Sequence, residues 1–252
     1  MKFDQLHSLA FHEENQIATI TLQTPFSNMK MIQELTQICD YLEDESDCDI
    51  VVLKGQSDCF NKGLDFAEFQ PQKTMDIHGF HKWEKICVRI ERLPKVTIAV
   101  LQGDVIGGGF QLALCCDIRI AHPNTFFALP EVKMGFLPGM AVYRLAKQIG
   151  LGQAKRLILS GRTINGMAAL EGKIVEIVTE DLEQSLAEEI AVLQPVNTVA
   201  VQLARRLLNE SFEDSFEDAI GHFLAAQQRA ISQDCFHQTL AQKSSTQNPP
   251  AS

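Results

Sequence analysis

The feature that most constrains this chain is a glycine-rich turn between two apolar segments. The run Val96–Val100 is short and rich in β-branched residues, which predicts a buried strand. Gly103 ends that strand, and three consecutive glycines at 107–109 precede Phe110–Cys115, which we interpret as a short buried helix. A strand, a glycine turn and a helix start bring free backbone N–H groups close to a ligand. The glycines lack GxGxxG spacing, so a dinucleotide site is disfavoured.

Length and charge narrow the class of protein. The 252 residues suit one large domain or a core with a smaller helical appendage. A formal charge of −10 gives no support to nucleic-acid binding. The chain has no apolar run of membrane-spanning length, and its first residues do not resemble a signal peptide. We therefore expect a cytoplasmic protein with no membrane partner.

The cysteines and histidines do not form a recognisable metal or redox motif. None of the seven cysteines shows CxxC spacing, and none of the seven histidines lies in an HxxxH or HExxH pattern. The sequence therefore predicts reduced cysteines that pack in the core, and no metal.

Apolar periodicity predicts alternating strands and helices, followed by a helical end. The helix Met29–Glu45 lies between two predicted strands, which makes one right-handed crossover unit. The predicted strands are Ile17–Leu22, Asp49–Leu53, Asp117–Ala121, Thr125–Leu129 and Lys173–Val178. The further predicted helices are Phe80–Leu93, Val142–Ile149, Gln153–Leu159, one from Asn165, Leu182–Leu193, Pro195–Leu208 and Ser215–Ile231.

Three motifs in order carry a family resemblance. They are the loop Phe60–Asp65, the glycine stretch, and Pro130-Glu131 followed by Gly135–Gly139. Together they resemble the crotonase superfamily, the enoyl-CoA hydratase/isomerase family, over nearly the whole chain from Ile17 to Phe236. The resemblance implies an α/β crotonase fold, a spiral of ββα units with a C-terminal helical trimerisation region. It implies residues 1–195 as the spiral core with the thioester site, 196–240 as oligomerisation helices of a homotrimer or hexamer, and 241–252 as a disordered tail.

The resemblance also implies a site for acyl thioesters. By motif position, the backbone N–H groups of Leu64 and Gly108 would form an oxyanion hole that stabilises an enolate, by about 3–4 kcal/mol per donor. No tightly bound cofactor is expected, because the substrate arrives on CoA or on phosphopantetheine. The residues implied to line the substrate site are Lys62, Gly63, Gly107, Gly109, Phe136, Leu137 and Tyr143. Trp83 and Phe80 lie on a helix that often roofs the acyl pocket in this family, and core packing explains them equally well.

The acid–base positions depart from the hydratase pattern. Hydratases carry one glutamate two residues after the glycine run and a second in the Pro-Glu motif. Here those positions are Gln111 and Glu131. Gln111 can hydrogen-bond a water or a hydroxyl but cannot take a proton, which leaves Glu131 as the one general acid/base.

Four functions fit one glutamate beside an oxyanion hole. The first is dehydration or hydration of a β-hydroxyacyl/enoyl thioester. The alternatives are a Δ3,Δ2-enoyl-CoA isomerase, a decarboxylase of a 3-methylglutaconyl thioester, and a non-catalytic thioester-binding subunit. FNKGLDFAEF with Glu131 also resembles the dehydrating enzymes of polyketide β-branching, which act on 3-hydroxy-3-methylglutaryl groups. GFLPGM and His237 resemble their decarboxylating partners.

The sequence does not decide whether the acyl chain is carried by CoA or by an acyl carrier protein. Typical CoA-using members have a cation near the first turn, whereas Pro25–Met29 has none. Phosphates favour Arg and Lys, and an acidic carrier protein needs a basic patch. Candidate cations for such a patch are Lys30, Lys62, Lys82, Lys85 and Arg89.

Overall fold

The computed structural model describes residues 3, 5–68, 77–194, 196 and 198–247, without the side chains of Glu68 and of 244–247. The chain divides into two compact units, Met1–Gln194 and Pro195–Ser252.

The strands are β1 (Leu9–Glu14), β2 (Ile17–Leu22), β3 (Ile50–Gly55), β4 (Val96–Leu101), β5 (Asp104–Ile106), β6 (Ile118–Ala121), β7 (Phe126–Ala128), β8 (Thr163–Asn165) and β9 (Ile177–Val178). The helices of the first unit are α1 (Met29–Asp44), α2 (Ile77–Arg92), α3 (Gly108–Leu114), α4 (Ala141–Ile149), α5 (Leu151–Ser160), α6 (Gly166–Glu171) and α7 (Leu182–Leu193). The second unit has α8 (Thr198–Glu210), α9 (Phe216–Ile231) and α10 (Asp234–Gln247).

A six-stranded sheet of order β1-β2-β3-β4-β6-β9 forms the frame of the first unit. Its strands are parallel except for β1, which pairs antiparallel with β2 at one edge. Residues that alternate along β3 and β4 pack on opposite faces. Val51 and Leu53 face the main core, whereas Ile50 and Val52 face a second cluster that α7 covers. Because both faces are covered, these strands are continuous apolar runs.

A smaller sheet of order β5-β7-β8 stands beside the first. Two isolated parallel bridges, Ser27–Leu64 and Asn61–Val105, continue the pairing towards earlier parts of the chain. Each turn of the chain therefore passes from a strand of the large sheet to a segment of the smaller sheet or its bridges, and then into a helix. The order β4-β5-α3 is one such turn, as expected for a spiral of ββα units.

Most elements predicted from periodicity are present within three residues of their predicted ends. The strand predicted over Lys173–Val178 is an exception: it is confined to Ile177–Val178, because Lys173 lies in a turn after α6 with φ +57°. Three strands, β1, β5 and β8, are not predicted by periodicity, because two of them have only three residues and β1 carries His12, Glu13 and Glu14. The disordered tail predicted over 241–252 is wrong in its first part, because α10 continues to Gln247. Residues of good helix propensity, such as Ala241, Gln242 and Lys243, sustain that helix. The rest of the predicted tail, 248–252, lies outside the described residues.

The C-terminal unit carries apolar side chains on its surface. Four of them on α9 are exposed: Phe216, Ile220, Phe223 and Leu224. In the sequence, Phe216, Ile220, Phe223 and Ile231 form an apolar stripe on the predicted helix, and the first three of them are exposed. The trimer or hexamer stays a prediction. Within the described part of the chain, no helix has both the length and the apolar character needed to cross a bilayer.

Candidate active site

The glycine turn joins β5 to α3 and leaves one backbone donor free. Gly107 has φ +54°, a left-handed conformation that glycine adopts readily, and its N–H donates to the Ala128 carbonyl over 2.9 Å. α3 begins at Gly108, so the Gly108 N–H belongs to the first helical turn and has no acceptor within the helix. Among the described residues, nothing else accepts from it. The turn therefore presents one unpaired N–H at its outer end.

A second free donor comes from the loop that precedes α2. Gly63 accepts from the Ser27 N–H over 2.7 Å, and the Asp65 N–H donates to Ser27 over 2.9 Å. Successive groups of an extended chain point to opposite sides, so the Leu64 N–H faces away from Ser27. It has no acceptor within the part of the chain that the structure describes. A Cβ on Gly63 would lie 3.5 Å from the Gly108 nitrogen, so the two free N–H groups belong to neighbouring segments.

Asn61 fixes the loop that carries Leu64. This residue is fully buried, and its Oδ1 accepts from the Gly63 N–H over 2.8 Å and from the Ser27 hydroxyl over 3.2 Å. Gly109 packs directly on Asn61, because a Cβ there would lie only 2.5 Å from the Asn61 carbonyl oxygen. The third glycine of the run is therefore required for close packing between the two donor segments, and its contact with a substrate stays a prediction.

Glu131 has a buried and largely unpaired carboxylate. It begins a short 3-10 helix, Glu131–Met134, and is 6% exposed. Its Oε1 lies against Gly107, where a Cβ would be 2.6 Å away, and its Oε2 has no hydrogen-bond partner among the described residues. Burial raises the pKa of this carboxyl, and its own backbone N–H opposes that rise. The group can therefore take up and release a proton beside the glycine turn.

Gln111 is buried on α3, but its amide is already engaged. Its Nε2 donates to Glu84 Oε1 and lies 3.6 Å from the Cys87 sulfur. Glu84 also accepts from the Met140 N–H over 2.8 Å and from Arg144 Nη1 over 3.2 Å. A side chain on Gly139 would overlap both Glu84 and Gln111. The position where hydratases carry their first glutamate is thus part of a fixed polar network.

The remaining predicted substrate residues differ in their surroundings: Phe136 packs against other aromatic rings, whereas Leu137 and Tyr143 are exposed. Phe136 contacts Phe66 and Phe80, with ring centroids 6.2 Å and 6.3 Å apart. Leu137 is 71% exposed and Tyr143 is 44% exposed on α4. No described contact brings either of them to the glycine turn, because the network around Glu84 occupies the buried side of α4 through Arg144.

The basic patch stays a prediction, and three of its five candidate cations form ion pairs with acidic residues. Lys30 pairs with Glu34, Lys62 pairs with Asp104, and Arg89 pairs with both Asp40 and Glu43. Short-range pairs satisfy these side chains because acidic residues outnumber basic ones, 32 to 22. Lys82 and Lys85 line a cavity of about 510 Å³ between α1 and α2.

The sequence analysis did not assign Glu84 and Asn61 to the site, and it left Trp83 open. Trp83 is 4% exposed and packs on Gly108, where a Cβ would lie 3.4 Å from the ring. Its Nε1 has no partner among the described residues. The sequence does show an adjacent tryptophan and glutamate, Trp83 and Glu84, on the helix before the glycine stretch, and this pair could have indicated their place at the site.

Among the residues that the structure describes, one group of potential metal ligands is found, and it lies in the second unit. Glu210, Asp214 and His222 bring their ligand atoms within 4.8 Å of one another. Glu210 accepts from Arg206 over 3.0 Å, and His222 Nδ1 lies 2.7 Å from Asp214. Asp214 and His222 are paired with each other, whereas Glu210 Oε2 is buried without a hydrogen-bond partner among the described residues. The absence of a metal stays our prediction.

Known proteins share this sequence pattern and this fold. The profile of the enoyl-CoA hydratase/isomerase family matches residues 12–250. A short-chain-enoyl-CoA hydratase of Clostridium acetobutylicum is 31% identical over 225 residues, which cover 86% of each chain.

Solved structures extend the likeness to three dimensions. An enoyl-CoA hydratase from Bacillus anthracis has a TM-score of 0.88 at 26% identity, over 94% of this chain and 96% of that chain. A protein from Thermobifida fusca, solved in complex with acetoacetyl-CoA, has a TM-score of 0.82 at 26% identity, over 89% and 95% of the two chains. With the spiral of ββα units, the glycine turn and the Pro-Glu motif in place, this chain belongs to the enoyl-CoA hydratase/isomerase family and is an enzyme of that family.

Proposed function

We propose that the enzyme dehydrates β-hydroxyacyl thioesters and hydrates the corresponding enoyl thioesters, with Glu131 as the one proton-transfer group. The observation that carries this proposal is the surroundings of Glu131. Its carboxylate is buried against Gly107 with one unpaired oxygen and a raised pKa, beside a turn that offers a free N–H. A carboxyl whose pKa moves towards neutrality is suited to both taking and giving a proton.

The reaction would proceed through an enolate. The thioester oxygen accepts from the Leu64 and Gly108 N–H groups, and Glu131 removes the α-proton. Negative charge then develops on the thioester oxygen, where each donor in a dry site contributes about 3–4 kcal/mol. In the second step the β-carbon–oxygen bond breaks, and Glu131 returns its proton to the departing oxygen, which leaves as water. The reverse sequence hydrates the enoyl thioester.

Gln111 would not share the proton transfer. Its Nε2 donates a hydrogen bond to Glu84, and an amide does not act as an acid or a base near neutral pH. A single glutamate that acts first as base and then as acid is therefore the simplest mechanism for this chain. The related hydratases would instead use two carboxylates.

The finer substrate proposal is a 3-hydroxy-3-methylglutaryl group on an acyl carrier protein. It rests on the motif FNKGLDFAEF and on the first turn, Pro25–Met29, which carries no cation for nucleotide phosphates. Against it, three of the five candidate cations are paired, which leaves Lys82 and Lys85 for an acidic partner. The Thermobifida fusca relative, in contrast, binds a CoA thioester.

A mass-spectrometric assay tests the reaction and the carrier together. The purified enzyme is incubated with 3-hydroxybutyryl-CoA, and with 3-hydroxy-3-methylglutaryl groups loaded on CoA and on a carrier protein. Loss of one water from a CoA substrate supports dehydration, and loss only from the carrier form supports the finer proposal. An unchanged mass for all three substrates, with E131Q equally inactive, would contradict dehydration. Loss of carbon dioxide from a 3-methylglutaconyl thioester would indicate a decarboxylase.

A second candidate is a Δ3,Δ2-enoyl-CoA isomerase, and the fixed state of Gln111 favours it. An isomerase needs one base that moves a proton between two carbons, and no second group that holds a water. The engagement of Gln111 by Glu84 fits that requirement. Conversion of 3-hexenoyl-CoA to 2-hexenoyl-CoA without incorporation of solvent ¹⁸O into a hydroxyacyl product would support isomerisation.

The assembly proposed for this enzyme is a homotrimer or a hexamer. The exposed apolar side chains of α9 support it, because a contiguous apolar surface of this kind is typical of an interface. Native mass spectrometry tests the proposal, and a monomer at micromolar concentration would contradict it.

A further inference from the structure

A buried donor without an acceptor lies beside the candidate oxyanion hole. Trp83 is 4% exposed, and its indole Nε1 has no hydrogen-bond partner among the described residues. The ring rests on Gly108, with Nε1 3.5 Å from the position that a Cβ on Gly108 would take. The unpaired indole N–H is therefore at the residue whose own N–H is proposed to bind the thioester oxygen.

An unpaired acceptor lies at the preceding glycine. The Oε1 of Glu131 contacts Gly107, and its Oε2 is buried without a partner in the described part of the chain. Leaving a buried polar group unpaired is unfavourable, so such groups in an active site indicate a missing ligand atom. A hydroxyl group is the smallest ligand that can satisfy both, because it accepts one hydrogen bond while it donates another.

We infer that Trp83 donates its indole hydrogen to an oxygen on the β-carbon of the acyl group, and that the hydrogen of the same hydroxyl faces Glu131. This inference rests on the proposed function, because the thioester oxygen must first be held at Gly108. The β-carbon is two bonds from the thioester carbonyl carbon, so its oxygen lies within reach of side chains that contact Gly108. The site then selects acyl thioesters with an oxygen at the β-carbon.

In this arrangement Trp83, rather than Gln111, donates a hydrogen bond to the departing oxygen. The Gln111 Nε2 donates one hydrogen to Glu84 and the other to the Cys87 sulfur, so neither is left for the departing oxygen. When the carbon–oxygen bond breaks, its electron pair stays on the oxygen, and the proton comes from Glu131. Trp83 keeps its own hydrogen throughout, and its hydrogen bond strengthens as negative charge develops on that oxygen.

The chain has only one tryptophan, which makes the test direct. The ¹⁵N-labelled enzyme has a single indole N–H resonance, and hydrogen bonding to oxygen moves its proton downfield. Butyryl-CoA and acetoacetyl-CoA are a matched pair, with equal carbon number and a difference of one oxygen at the β-carbon. We expect acetoacetyl-CoA to move the resonance downfield and to protect the N–H from exchange, whereas butyryl-CoA does neither.

Calorimetry with the same two ligands separates the possible failures. If both thioesters bind and the indole resonance responds equally to each, this inference is overturned while the proposed function stands. If neither thioester binds, the proposed function fails, and the inference fails with it.

A variant tests the selectivity independently. In W83F the ring remains and the N–H is lost, so we expect about tenfold weaker binding of acetoacetyl-CoA and less than a twofold change for butyryl-CoA. V88A, at an exposed position of α2, is the matched control and should change neither. An equal loss for both ligands in W83F would mean that the indole contributes packing alone and would overturn the inference.

Discussion

Glu131 and Glu84 flank the same glycine stretch, but their carboxylates have opposite surroundings. Glu84 accepts from Gln111, from the Met140 N–H and from Arg144, so its charge is compensated. Glu131 has one oxygen without a partner, and burial raises its pKa. The comparison teaches that the fold stabilises one carboxylate as a structural anion and leaves the other able to exchange a proton.

The largest effect should follow from changing the reactive carboxylate. In E131Q the side chain keeps its shape and loses its ability to take a proton, so we expect kcat to fall about 10³-fold. The free energy of unfolding should not fall, because a neutral amide replaces a buried carboxylate. Turnover assays and urea denaturation measure the two quantities. Activity within a few-fold of the parent enzyme would contradict the role of Glu131.

Removing the cation beside the structural carboxylate should affect stability more than chemistry. Arg144 is 4% exposed and pairs with both Glu84 and Glu91. In R144M both acids lose a partner in a partly dry region, so we expect a loss of about 3 kcal/mol in the free energy of unfolding. K155M, at an exposed position of α5, should change it by less than about 0.5 kcal/mol. Equal effects of the two substitutions in urea denaturation would argue against a structural role of the ion pairs.

Introducing the glutamate that hydratases carry should be unfavourable unless Glu84 changes as well. In Q111E two carboxylates meet at hydrogen-bond distance, and one must take a proton, at a cost of about 2 kcal/mol in stability. E84Q/Q111E restores one amide donor and one carboxylate, so most of that loss should be recovered. A double-mutant cycle measures the coupling. Strictly additive effects would mean that the two side chains do not interact.

The smallest effect is the dependence of stability on pH. A glutamate whose pKa is raised in the folded state holds its proton more tightly there than in the unfolded chain. Its contribution to stability is therefore present below the unfolded pKa and is lost as pH rises through the folded pKa. The gap in unfolding free energy between E131Q and the parent should widen over that window and stay constant above it. A gap that narrows with rising pH would show that the pKa of Glu131 is not raised.

The same shift predicts the acid limb of the activity profile. Proton removal from the α-carbon needs the ionised form of Glu131, so kcat/KM should fall on acidification through a pKa above the ordinary glutamate value. Measuring kcat/KM over a pH series checks this. A limb at the ordinary glutamate pKa would indicate that Glu131 is solvated in the working enzyme.

Local patterns were sufficient for most of the frame. The apolar run Val96–Val100 predicted a buried strand, and the structure has a strand there, Val96–Leu101, with both faces covered. Leu182–Leu193 was predicted as a helix with the same ends that the structure gives. Short elements such as β5 and β8 escaped prediction because three residues carry too little periodicity, and their pairing with β7 holds them in place.

The sequence by itself determined the order of the longer strands and helices, the glycine turn and the presence of a single glutamate, Glu131, at the two family acid–base positions. Only the tertiary structure decided what those residues contact. Glu84 and Gln111 are 27 positions apart, and Trp83 meets Gly108 because two helices pack together. The physical reason is that hydrogen bonding and burial depend on which distant segments exclude water from a group. A motif fixes the type of side chain, whereas the packed environment fixes its charge, its partners and its reactivity.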